Sequence, residues 1–372
     1  MSKLLADEIE AGSDVMGFDA IRGIQAGQEF YVAMCPMRII PKLFRFNEKE
    51  IPPELRAQRI LRESRVPEIA NYMVSNPDNY VFSSLTASVD GKMKFSPAPS
   101  AGEHGKIGRL YISLHSKILI NDGQHRRAAI EEALEIKPDL GDEFISVVFF
   151  SDKGLKRSQQ MFSDLNKYAV KPTKSLNILY DHRNDFSQFI VDLPKKLDIF
   201  RNRVELEKTT ISNRSLKFVT LNGISDATKE LLGISSKASK ITVEQQKLAV
   251  EFWDEVSKNI PEWHLLIEKK VTPYELRTEF VHSHTNLLNA LGITGNVLVR
   301  EFPTAWKQKL KKLQTIDWSR SSSIWEGKLI LEGTMLKTRS GINRAANIII
   351  KECLGKLPSD RKQYEGLDAY RN

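Results

Sequence analysis

Cysteine is nearly missing from this sequence: among 372 residues there are only Cys35 and Cys353. Two thiols can build neither a disulfide framework nor an all-cysteine zinc site, so a reducing compartment is expected. Cys35 precedes a proline inside an apolar run and reads as a small buried residue, not a nucleophile. No stretch of 18 apolar residues occurs, which excludes a transmembrane helix on sequence grounds. The first residues, MSKLLADEIEAGSD, carry acids and no apolar core, so no signal peptide is expected. There is no HExxH, no glycine-lysine phosphate loop and no GxSxG. The seven histidines are scattered. His282 and His284 would point about 200° apart on a helix and have no third ligand nearby in sequence, so no metal site is expected. No internal repeat or low-complexity tract is visible.

What is present is a mild excess of positive charge, unevenly placed. The net charge is +8. Residues 300–344 hold ten Lys/Arg against four Asp/Glu, and residues 38–65 hold eight against four. The rest of the chain is therefore slightly acidic, and polyanion binding is assigned to those two stretches. Charged residues at 27% and hydrophobic ones at 41% are ordinary for a folded protein of two domains.

The first half alternates short apolar runs with helical periods. FDAIRGIQAGQEFYVAM reads as strands around a glycine turn, with Phe30–Met34 ended by Cys35-Pro36. Pro52 and Pro53 open a helix, and Pro67 opens another that ends near Asn76. Tyr80–Val89 has strand composition, and Asp90-Gly91 signals a hairpin. Phe144–Phe150 is a buried strand, followed by a helix from Gly154. After Pro172 amphipathic stretches dominate, among them Leu176–Phe200, Val243–Asn259 and Ser283–Ala290. The expected fold is α+β: an N-terminal domain over residues 17–175 and a mostly helical domain over residues 176–372, the latter a place for DNA binding and oligomerisation.

The most informative run is LINDGQHRRAAIEEAL, Leu119–Leu134. A strand delivers the chain into Asp122-Gly123, and a helix begins at once. Glycine there accepts positive φ and close approach of a ligand. The first N–H groups of the helix lack internal partners and, with the helix dipole, attract phosphate. Gln124, His125, Arg126 and Arg127 crowd this turn, and arginine grips phosphate bidentately. Two readings stay open: a phosphate site, or a plain turn with an Arg127–Glu131 pair and Asp122 as helix cap.

The Asp122–Arg126 run resembles the signature of DGQHR-domain proteins and is similar to the glycine–acid–arginine–arginine box of the ParB/sulfiredoxin superfamily. Gly123 falls on its glycine, Gln124 on its acid, and His125 and Arg126 on its arginines. A later arginine of that box falls on Ala128, which departs from the nucleotide-binding pattern. The absence of cysteine at position 124 disfavours sulfiredoxin chemistry. Further segments, RAQRILRESRVPE, YVFSSLTASVDG and GLKRSQQMFSDLNKYAVKPTKSL, resemble the DndB family of DNA sulfur-modification (phosphorothioation) proteins. The resemblance is strong over Phe18–Arg183 and looser beyond.

That resemblance implies a ParB/sulfiredoxin-like N-terminal domain and a cytoplasmic, nucleoid-associated DNA-binding repressor of a modification operon. It implies double-stranded promoter DNA, other sulfur-modification proteins and a second copy of the chain as partners, and no membrane. The alternative is a nucleotide-binding ATPase that takes ATP or CTP with Mg²⁺, using Asp122, Gly123, Gln124, His125, Arg126 and Asn166 at the phosphates. Asp122 is the only catalytic candidate. DNA phosphates are assigned to Arg56, Arg59 and Arg62, spaced three apart, and to Lys307, Lys311, Lys312 and Arg339. Trp306 and Trp318, which flank the lysines, read as core residues. Asn343 and Arg344, after Lys337 and Arg339, read as a loop entering a helix at another phosphate contact.

Overall fold

The computed structural model describes residues 15–44, 63–99, 105–151, 154–167, 171–212, 215–236 and 238–365. Arg56, Arg59 and Arg62, and the helix expected from Pro52, lie outside these residues. The chain divides into two compact units, 1–170 and 171–372. The architecture is α+β, with a mixed sheet in the first unit and mostly helices in the second.

The first unit is built on seven strands: β1 Val15–Gln25, β2 Gln28–Pro36, β3 Leu85–Asp90, β4 Met93–Pro97, β5 Ile107–Ser113, β6 Lys117–Asp122 and β7 Phe144–Ser151. Their order is β4-β5-β1-β2-β7-β3-β6, antiparallel throughout except for β3 beside β7. β2 runs through Cys35 to Pro36, where expectation ended it at Met34; the sheet's pairing with β7 carries it on. The Ala26-Gly27 turn joining β1 and β2 has positive φ at both residues.

Asp90-Gly91 is not a hairpin. β3 pairs with β6 and β7, whereas β4 pairs with β5. Only two residues separate β3 from β4, and three separate β5 from β6. Residues 85–97 and 107–122 therefore form one long antiparallel ribbon with a bend in the middle. Its two halves pair into opposite ends of the strand order. Asp90 and Met93 lie within about 10 Å by chain reach alone, so the sheet curls until its ends meet. Gly91 sits at the bend with φ +152°, where any side chain would collide with Ser116.

One face of this curled sheet holds the core, because alternate residues point to it. Phe18, Ala33, Leu85, Leu110, Ile120, Val147 and Phe149 are buried there. Helices α2 (Val66–Ser75) and α3 (Gln124–Ile136) pack on each other and add Ala70, Met73, Ala129, Ile130 and Ala133 to the same core. The one-turn helix α1 (Ile40–Leu43) contributes Ile40 and Leu43, and α4 spans Leu155–Lys167. Cys35 is fully buried, and burial pushes its thiol up to about 12.

The second unit carries α5 (Lys174–Tyr180), α6 (Asp185–Lys196), α7 (Leu221–Leu232), α8 (Val243–Asn259), α9 (Pro261–Ile267), α10 (Pro273–Glu279), α11 (Thr285–Glu301), α12 (Trp306–Leu310) and α13 (Arg339–Leu354). The amphipathic stretch from Leu176 is two helices, because Asn184 caps a new one by accepting from Ser187 N at 2.8 Å. The α11 helix runs to Glu301, well past Ala290, through Gly292 and Gly295. A side chain at Gly292 would strike the Ala227 carbonyl, and one at Gly295 would strike Phe252. These glycines, poor helix formers by themselves, let α7 and α11 touch along their length. Gly223 faces Thr285, Ala227 faces Gly292, and Asn296 donates to the Leu231 carbonyl at 3.0 Å, so the two helices are parallel. Trp253, Trp263, Trp318 and Trp325 are buried in the core of this unit, and each indole N–H finds an acceptor at 2.9–3.0 Å.

Candidate phosphate-binding site

The apolar alternation of β6 buries Ile118 and Ile120 and brings Asp122 to the sheet's end. Gly123 follows with φ +103°. A side chain here would be strained by that φ and would collide with Leu85, so glycine is required twice over. Gly123, not Asp122, is the residue that caps α3, and no side chain caps the helix there. The first intrahelical bond is Arg127 N to Gly123 O at 2.9 Å. The N–H groups of Gln124, His125 and Arg126 precede it, the arrangement that receives an anion.

Arg126 turns back across this end. Its guanidinium donates to Asp122 Oδ2 at 2.7 Å, to the Ser83 carbonyl at 3.1 Å and to the Ser83 hydroxyl. A cation in the first turn opposes the helix dipole. Asp122 offsets that conflict from within the chain, where a cap was the alternative expected of it. Arg127 pairs with Glu131 at 2.6 Å and donates to the Pro41 carbonyl, fixing α3 to α1.

Arg126 also lines a depression of about 380 Å³ with Arg65, Glu68, Tyr72, Phe82 and Ser83. Two arginines thus share a small concavity with aromatic faces; the Tyr72 and Phe82 rings lie 6.2 Å apart. Tyr80, edge-on to both, donates to Glu143, and burial followed by that contact pushes its hydroxyl well above its usual range. Sequence reading passed over Ser83, Tyr72 and Phe82. Ser83 lies 43 residues before Arg126, so no local spacing signals the contact.

Sequence reading also passed over Asn121, which is buried and precedes the box. Its Oδ1 accepts from Ser88 Oγ at 2.8 Å and its amide donates to the Ser158 carbonyl at 3.4 Å, tying β6 to β3 and α4. The available signal was a polar residue ending an apolar strand, which must find partners when buried. Asn166 lies in the last turn of α4.

In the second unit Lys307 pairs with Glu251 at 2.7 Å and lies 5.3 Å over the Trp306 ring. Arg339 is gripped by the Glu230 carboxylate, which holds its guanidinium above its ordinary range. Lys311 and Lys312 stand exposed on the turn that follows α12. Trp306 and Trp318 are core residues. Asn343 and Arg344 are buried inside α13, where Arg361 donates to Asn343 and Arg344 donates to the Lys328 carbonyl. They are structural, which corrects the expectation of a phosphate contact there.

Among the described residues no three His, Cys, Asp or Glu side chains gather to hold a metal ion, and no helix is long and apolar enough to cross a membrane. His282 is buried beside Glu262, at 3.4 Å, and accepts the Trp263 indole N–H at 3.0 Å. No curated protein and no solved structure matches the chain. A family model described as DndB, DNA-sulfur modification-associated, matches residues 18–356, nearly the whole chain.

Proposed function

The chain belongs to the DndB family, associated with DNA sulfur modification, and from that membership we propose that it is a cytoplasmic, duplex-DNA-binding repressor of a modification operon, with a ParB-like first unit. The observation that carries the reading is the family match over both units, joined to the basic stretch of residues 300–344. Lys311 and Lys312 are its best-placed phosphate contacts, being exposed where Lys307 and Arg339 are held by carboxylates. Lysines there supply affinity without base readout. Fluorescence anisotropy with duplex promoter DNA over a salt series tests the reading. Affinity falls steeply as salt rises if phosphates are neutralised; a flat response overturns it.

A second reading, nucleotide hydrolysis at the box, is favoured by one observation: the uncapped first turn of α3 beside Arg126 and Asp122. It requires Mg²⁺-dependent phosphate release from ATP or CTP that disappears in Arg126→Ala while the fold, followed by circular dichroism, persists. No release by folded wild-type protein in the presence of DNA removes it.

A further inference from the structure

The second unit contains a concave pocket of about 540 Å³ that no part of the DNA or box reading uses. Three cations line it: Arg277 on α10, Arg320 on the loop after Trp318, and Lys337 just before α13. Among the described residues that line it there is no carboxylate. Arg277 is held by the backbone carbonyls of Ser212, Ser215 and Lys217, and the lining offers no carboxylate to balance Arg320 and Lys337.

The backbone adds to the same imbalance. The parallel pair α7 and α11 start together at this pocket, where Thr220 and His284 begin them. Two parallel dipoles put both positive ends in one place. At α7 the Thr220 hydroxyl accepts from Gly223 N at 3.2 Å, but no side chain caps α11, since the His284 ring meets the Arg277 carbonyl instead, at 3.2 Å. Burial, followed by repulsion from Arg320, lowers the His284 imidazole to about 4, so it stands neutral in this field.

We infer that this pocket binds a nucleotide, its phosphates toward the start of α11, Arg320 and Lys337, and its base toward Tyr274. The volume suits a ligand of nucleotide size, whereas the convex backbone of duplex DNA does not enter a pocket of this shape. Tyr274 is 49% exposed at the rim and offers a ring face on which a base stacks. All the residues that line this pocket belong to the second unit, whereas the Gly123 turn belongs to the first.

The test is calorimetric titration of the full chain with ATP, GTP, CTP and, separately, inorganic phosphate. Lys337→Glu and Arg320→Gln are compared with Arg126→Ala. Lys337 is exposed, so its reversal leaves the fold intact, which thermal melting checks. At least one nucleotide binds the wild type saturably, and each pocket variant weakens it about tenfold or more, as loss of a charged hydrogen bond does. Arg126→Ala binds as wild type. The inference is overturned by the absence of saturable binding, or by inorganic phosphate binding as tightly as any nucleotide. Loss of binding in Arg126→Ala with Lys337→Glu unaffected also overturns it, and places the nucleotide at the box. Displacement of nucleotide by duplex DNA, with DNA affinity lost in the same two variants, overturns it in favour of a DNA-backbone contact.

Discussion

At the scale of single residues, Gly123 and His284 make the sharpest demands. Gly123→Ala forces an L side chain to φ +103° against Leu85. A cost of roughly 1–3 kcal/mol is expected from the backbone alone, with the collision added. Urea unfolding of the variant shows it as a lower midpoint, whereas Ala128→Gly, further along the same helix, costs only about 1 kcal/mol. His284 carries a pH dependence. Its folded-state value of about 4 lies below the unfolded value of 6.5, so the unfolded chain binds the extra proton. The stability it contributes is complete above pH 6.5 and declines as pH falls toward 4. The loss reaches as much as about 3 kcal/mol. The neutral, buried His282 shifts in the same direction. Urea melts at pH 7.5, 6 and 5 check the slope, and His284→Gln flattens it.

At the scale of elements, the α7–α11 pair is the tightest contact in the second unit. Gly292→Ala adds one methyl where the Ala227 carbonyl already sits. Overpacking of this kind costs typically about 1–3 kcal/mol, read as a thermal midpoint several degrees lower. The same pair explains one limit of the sequence as a guide. Glycines at 292 and 295 argue against helix locally, and only the partner α7 makes them favourable, so the helix outruns its local signal. Asp90-Gly91 misleads for the opposite reason: its turn chemistry is sound, but tertiary pairing turns it into a bend inside a ribbon. By contrast, Val243–Asn259 was readable end to end, because its amphipathic period and its Thr242–Gln245 capping box agree.

At the scale of the whole molecule, the strand–glycine–helix turn at the box was legible because its chemistry is local. Asp122 and Arg126 are one helical turn apart, and the glycine between strand and helix announces itself. The Ser83 contact, the Asn121 bridge and the Arg277–Arg320–Lys337 pocket were not legible, because each joins residues tens of positions apart. Charge was legible only as a sum: ten basic residues in 300–344 gave no sign of which carry carboxylate partners. Once Glu251 and Glu230 have taken Lys307 and Arg339, two adjacent lysines remain exposed. Replacing Lys311 and Lys312 together by alanine is expected to weaken duplex DNA binding for all sequences alike. The slope of log affinity against log salt falls by about two. An unchanged slope moves the DNA contact elsewhere in the chain.

The bent ribbon of residues 85–97 and 107–122 has a kinetic consequence. One pair of strands supplies both seams of the curled sheet, so neither seam closes without the other, and both wait for a return of the chain from β1 to β5. Such sequence-distant closure is slow and cooperative. Amides on the two halves of the ribbon, Leu110 near one seam and Ile120 near the other, should therefore share a single opening free energy in native-state hydrogen exchange. The box at the end of β6 would then be assembled in the same event that completes the sheet.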